Sequence, residues 1–305
     1  MMSRFPLRCR CIGWLVAMVL SGCGENSSST SPIFFEFKQQ PGDKYVYKIA
    51  DEVNWSIVDS AGKVFDTHHV QEQKSIMKFL RIDSTAVREI ALSFIVTYDS
   101  ILSTTDTLRL RSRKSQVGEK SELQLHMNPN GRIVSVASSN PRLTFFYETG
   151  YRPSQPAFPE HAIARGYSWT QDFTVNVPRG EPCKVSAEYQ FTAFERIGEF
   201  DCAVISFKSE LHYVEAFKPK EACAGLSDCA GLYDSRSTSA GKLYFAYREG
   251  FVVKKENLIT IVSEMAIKSG DKVTKLSDSE FRDQEKITLE AIYRNRGEKT
   301  MFKIE

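Results

Sequence analysis

The sequence predicts an all-β body with minor α content. It reads as two tandem antiparallel β-meander halves, fused into curved half-barrel-like sheets, with one short helix between them. Three observations carry this. Side-chain polarity alternates with period two along most of the chain, turn chemistry recurs between the alternating runs, and segments of the first half return in the same order in the second. The 305 residues are 42% hydrophobic and 26% charged, the composition of a folded chain and not of a disordered one. Forty basic against 38 acidic side chains leave a formal charge of +2, which gives no field for nucleic acid. At ~150 residues per domain the length allows about two units.

The elements follow in chain order. Arg4, Arg8 and Arg10 precede Cys11–Leu20, an apolar run of ten residues. A membrane span needs roughly 20, so residues 1–22 read as a signal peptide. The run ends in Leu20-Ser21-Gly22-Cys23, which resembles the lipobox of bacterial lipoproteins. By that resemblance Cys23 becomes the mature N-terminus, and its thiol carries a diacylglycerol, with palmitate as the expected kind of acyl chain, that attaches the protein to a membrane. Gly24 stands where Asp would favour inner-membrane retention, so the resemblance implies the outer membrane, facing the periplasm. Residues 23–32 are a Ser-rich flexible tether. Removing residues 1–22 takes the three arginines from the charge of +2 and leaves −1, so attachment rests on the lipid.

Residues 33–158 are expected as the first β repeat and 159–305 as the second. In the first, Tyr45, Tyr47 and Ile49 alternate with Lys44 and Lys48, and Val53, Trp55 and Ile57 continue the pattern. Strands are further expected at 75–82, 88–98, 105–111, 123–127 and 132–137, and in the second half at 168–177, 184–194, 202–217, 242–247, 251–255, 259–267 and 286–293. Asn128-Pro129-Asn130-Gly131 is a hairpin turn, with φ fixed at Pro and positive φ available at Gly. Ser60-Ala61-Gly62 and Arg248-Glu249-Gly250 are similar. Asn140 with Pro141 at the first helical position predicts a helix over 141–148, and 278–285 is a weaker helical candidate. The Pro-rich segment 150–159 holds Tyr151 and Phe158, and so should pack on the body. Between the halves, Gly42 to Tyr47 matches Gly166 to Gln171, and the hairpin at Gly131 matches the one at Gly250, which reads as a duplication.

The run Phe158-Pro159-Glu160-His161-Ala162-Ile163-Ala164-Arg165-Gly166-Tyr167-Ser168-Trp169 resembles an element of a family of bacterial lipoproteins of unknown function. Tyr167 stands where that family has Asp. Ser239-Ala240-Gly241-Lys242-Leu243 before the Gly250 turn is also similar. The resemblance spans about residues 40–265 and implies no catalytic residue. In architecture the chain is more distantly similar to periplasmic lipoprotein and lipid carriers, with a half-barrel sheet over a helix.

Beyond the leader and Cys23, four cysteines remain. Cys223-Ala-Gly-Leu-Ser-Asp is repeated at once as Cys229-Ala-Gly-Leu-Tyr-Asp, and a local Cys223–Cys229 disulfide is the simplest pairing. With a turn near Ile197, Cys202 lies opposite about residue 192. That is about nine residues from Cys183, at ~3.3 Å each too far for a bond. Cys183 is then expected to bond near the Cys223 loop, leaving Cys202 a free buried thiol. The cysteine spacing lacks a paired CxxC, so no metal site is expected.

No nucleophile elbow, zinc-protease helix, phosphate loop or calcium loop occurs. His68 and His69 are neighbours in a strand and point to opposite faces; His126, His161 and His212 are isolated. The expected function is a non-enzymatic, lipid-anchored envelope module without cofactor. Its aromatic face, with Tyr45, Tyr47, Trp55 and Trp169 as candidates, would hold an apolar small molecule or part of an envelope protein. A structural lipoprotein that docks another envelope protein is the alternative. An envelope hydrolase with a non-local site is a third, which a pocket holding paired carboxylates of raised pKa would favour.

Overall fold

Alternating side chains become strands because one face of each run can then be buried while the other stays in water. In the computed structural model the described residues are 31–103, 116–177, 181–217, 229–295, 297, 299–302 and 304. Residues 32–305 make one compact unit. Its strands are β1 (Lys44–Asp59), β2 (Val64–Ile82), β3 (Arg88–Ser103), β4 (Lys120–Met127) and β5 (Ile133–Ala137) in the first half. In the second they are β6 (Ser168–Val175), β7 (Cys183–Ile197), β8 (Phe200–Phe217), β9 (Cys229–Ala246), β10 (Phe251–Ser269), β11 (Lys272–Tyr293) and β12 (Lys299–Met301). The helix α1 is Pro141–Phe146, continued by a π-helical turn at Tyr147–Tyr151.

All the strands lie in one antiparallel sheet, curved and open, in the order β5-β4-β3-β2-β1-β11-β10-β9-β8-β7-β6, with β12 on β11. Each half is thus a five-strand meander, and β11 joins them by pairing with both β1 and β10. Both meanders run across the sheet in the same sense. The chain therefore leaves β5 at one edge and must re-enter as β6 at the other. The crossover, residues 138–167, carries α1 and covers the inner face of the sheet.

An N-terminal strap, residues 32–43, lies beside the crossover and is tied to it by a backbone pair between Ile33 and Ile163, at 2.8 and 2.9 Å. Phe35 and Phe37 from the strap and Phe158 from the crossover are 1%, 4% and 1% exposed, and they pack against Phe245 of β9. Each such ring contributes about 2–3 kcal/mol by leaving water. The core draws on Tyr45, Ile90 and Leu125 of one half and on Tyr189, Phe191 and Phe251 of the other. The Pro-rich segment packs as expected. Tyr189 donates a hydrogen bond to the Pro153 carbonyl at 2.7 Å, and Trp169 Nε1 donates to Ala157 O at 3.0 Å.

Several expectations change. Residues 278–285 are not helical: they lie within β11, paired on one side with β1 and on the other with β10. Their mixed polarity resembles a helix only until both ladders are supplied by neighbours. Expected strands 251–255 and 259–267 are one strand, as are the runs from 44 to 57, and β2, β9 and β11 extend through polar stretches for the same reason. The helix ends earlier than residue 148, passing into the π-helical turn. The expected strand 105–111 lies outside the described residues. The turns at Gly62, Gly131 and Gly250 hold, each with φ near +80° to +91°.

Candidate ligand-binding site

The crossover does not fill the inner face completely. Beneath Tyr147 and Tyr151 an apolar cavity of about 70 Å³ lies over β1–β4, its wall including Met77, Leu92, Phe94 and Met127. Tyr47 forms part of its floor, where its hydroxyl donates to Val252 O at 3.0 Å. A second, more polar cavity of about 280 Å³ abuts it across Phe94, Tyr147 and Tyr151. The two form an apolar end and a polar end of one concave region.

The polar end arises from strand parity. Inward positions of β1 run Tyr45, Tyr47, Ile49 and then Asp51; those of β11 run Leu289, Ile287, Glu285 and Asp283; those of β10 include Val253, Lys255, Asn257 and Ile259. Charged groups thus occupy positions that are apolar one turn of the pleat away. Pairing sets Asp51 opposite Glu285 and Val53 opposite Asp283, so the carboxylates converge.

Lys255 is the base among them. Its Nζ lies 2.7 Å from Glu285 Oε2, donates to Ser154 Oγ at 2.9 Å and sits 4.0 Å from the centre of the Tyr151 ring. Asp51 accepts a 3.4 Å bond from Gln73 Nε2. Asp283 is 8% exposed, and its Oδ1 has no hydrogen-bond partner. Burial pushes the Asp51 carboxyl up to about 8, helped by Glu285 and Asp283 and opposed by Lys255. Burial likewise pushes Asp283 up to about 7, with Glu285 adding and Lys255 opposing. Asp99 shows the contrast. Burial raises it too, but His69 Nε2 at 2.6 Å, the Gln116 amide and Gln71 outweigh that and hold it below the ordinary value. Partners, not depth alone, decide the sign.

Of the expected aromatic face, only Tyr47 lines the cavity. Tyr45 is buried in the core and accepts a hydrogen bond from Arg294. Trp169 stacks on Tyr189 at the β6 side, and Trp55 is 43% exposed toward the far end of β1. The four are therefore not brought together. Asp51, Asp283, Glu285, Lys255 and Tyr151 were missed. Their signal was present in the inward parity of β1 and β10, but reading 278–285 as helix hid it in β11.

His68 and His69 do face apart, onto Asn54 and Asp99. Cys183 and Cys202 are both free and buried. The free Cys202 agrees with expectation; the bond expected for Cys183 does not form. Cys183 instead sits among Phe173, Val175, Val185 and Leu211. Cys202 pairs with Glu195, not residue 192, because the β7–β8 turn is tight at Gly198. Cys229 is disulfide-bonded. Cys223 and Cys23 lie outside the described residues, as do residues 1–30 as a whole, so the expected leader, lipid attachment and most of the expected tether fall there. No group of metal ligands occurs among the described residues.

No protein-family model matches the chain, and no curated protein matches it in sequence. Among solved structures it is similar to a Bacteroides fragilis NCTC 9343 protein described as exported and of YmcC-like fold. That match has 11% identity, covers 85% of this chain and 98% of that one, and has a TM-score of 0.28. It is also similar to an outer membrane channel from Pseudomonas putida F1, at 6% identity over 85% and 99% of the chains, with a TM-score of 0.29. Overlap this low carries no argument about what the chain does.

Proposed function

We propose that this chain is a lipid-anchored protein of the bacterial envelope whose concave face binds an apolar ligand. The observation that carries the reading is the apolar cavity under Tyr147 and Tyr151, walled by Met77, Leu92, Phe94 and Met127 and open to a polar end. Apolar walls with a few convergent polar groups are the usual make-up of a small-molecule site. The leader and the Leu20–Cys23 pattern support the anchor, and Cys223 is the proposed partner of Cys229. Native mass spectrometry of residues 24–305, purified from periplasm without detergent, tests the ligand. A reproducible added mass, lost on denaturation and reduced by filling the cavity with Leu92→Trp, is the expected result. A clean protein mass would overturn it and favour docking of another envelope protein.

One observation favours a second reading. Asp51 and Asp283 are paired carboxyls of raised pKa at a cavity, the arrangement from which a general acid is made. Turnover of chromogenic ester or glycoside substrates that Asp283→Asn abolishes would establish a hydrolase; no turnover across such a panel would remove it.

A further inference from the structure

The two ends of the concave region differ in what they can accept. The charged groups that line the polar end are the acids Asp51, Asp283, Glu285 and Glu119, and Lys255, on the wall of the apolar cavity, reaches across to Glu285. Lys255 is already engaged with Glu285, Ser154 and the Tyr151 ring. Asp283, more than nine-tenths buried, keeps one carboxylate oxygen without a partner at the cavity wall. A neutral donor could pair that oxygen but would leave the acidic cluster's charge uncompensated, and an anionic group would add repulsion. An ammonium group supplies both the missing donor and the missing charge. The Tyr151 ring beside the same cavity already carries one ammonium, Lys255 Nζ at 4.0 Å from its centre, so the surroundings are of a kind that holds a cation.

We infer that the site takes a cationic amphiphile, a primary amine on an apolar body, with its ammonium between Asp51 and Asp283 and its apolar part among Met77, Leu92 and Phe94. The inference rests on the reading of the concave face as a ligand site. It has a consequence that packing alone would not produce. Burial holds Asp51 and Asp283 partly protonated near neutral pH, so an arriving ammonium displaces protons. The other titratable groups facing them are Glu285 on β11, Lys255 on β10, Glu119 before β4, and the phenols of Tyr147 and Tyr151. Burial raises both phenols beyond the range in which they exchange protons near neutrality.

Isothermal titration of residues 24–305 with dodecylammonium, dodecyl maltoside and dodecyl sulfate, each below its micelle concentration at pH 7.5, tests this. Dodecylammonium is expected to bind about tenfold or more tighter than the maltoside, with the sulfate weakest. Its apparent enthalpy should vary with the ionisation enthalpy of the buffer, reporting proton release. Asp283→Asn should remove the roughly tenfold preference and the proton release. Asp51→Asn serves as a second variant, and near-UV circular dichroism confirms that each is folded. Equal binding of all three head groups would overturn the inference and leave the apolar site standing. An amine preference unchanged in both variants would overturn the assignment to these carboxylates. Binding of none of the three by folded protein would overturn both readings.

Discussion

At Asp283, burial and the neighbouring Glu285 act in the same direction, and the proton is retained to about pH 7; at Asp51 it is retained to about pH 8. The ordinary aspartate value is 3.8, so between about pH 4 and pH 8 the folded chain binds protons that the unfolded chain has released. Stability conferred below that window is therefore lost as pH rises through it, and is level again above about 8. The loss should be on the order of 2–4 kcal/mol, since the coupled pair cannot contribute its full separate shifts. Thermal unfolding of the wild type and of the Asp51→Asn, Asp283→Asn double variant at pH 5.5 and 8.5 checks this, with a smaller pH difference expected in the variant. An identical difference would remove these two groups as its cause. Lys255 is the opposite case. Lys255→Met strands Glu285 without its cation and should cost about 3–5 kcal/mol in urea unfolding, most of it recovered when Glu285→Leu is added.

Among the elements, the hairpin turns show how one sequence signal has two structural weights. Gly62 and Gly131 both have positive φ, at +80° and +91°. A methyl group at Gly62 meets nothing within 4 Å, whereas at Gly131 it would lie 2.5 Å from the Phe37 ring and 2.6 Å from Pro156 O. Gly62→Ala should cost about 1 kcal/mol and Gly131→Ala at least about 2–3, read from denaturant midpoints. The turn itself was legible from Asn130-Gly131; the strap and crossover laid upon it were not, because nothing local records which distant segment arrives. The same limit governed β11. Its apolar end, from Lys286 to Tyr293, was legible by parity, but Asp278 to Glu285 owes its extended form to ladders from β1 and β10.

For the whole body, the position of β11 between the meanders has a thermodynamic consequence. Neither half can lose its last strand pairing without exposing the core that both share. Residues 32–305 should unfold in one cooperative transition, with far-UV and near-UV signals coincident. Phe158→Ala should move that single midpoint by about 3–5 kcal/mol without splitting it. Two separated transitions would show that the halves are independent. The anchor is tested separately: Cys23→Ser should release the protein from membranes, and unchanged sedimentation with membranes would refute the lipid attachment.

What the sequence determined by itself was local. Period-two alternation makes strands, Asn-Gly and Glu-Gly make turns, Asn140-Pro141 opens a helix, and the β class follows from them. The expectation of a leader and of lipid at Cys23 likewise rests on local residues alone. The tertiary structure decided what depends on arrival from a distance. It decided that β11 is the strand through which the two meanders fuse, that the crossover must traverse the inner face, and that carboxylates over 230 positions apart in the chain, Asp51 and Asp283, face the same cavity. The reason is physical: parity assigns a side chain to a face, but only strand order and register assign that face its neighbours, and neighbours set both the cavity and the charge within it.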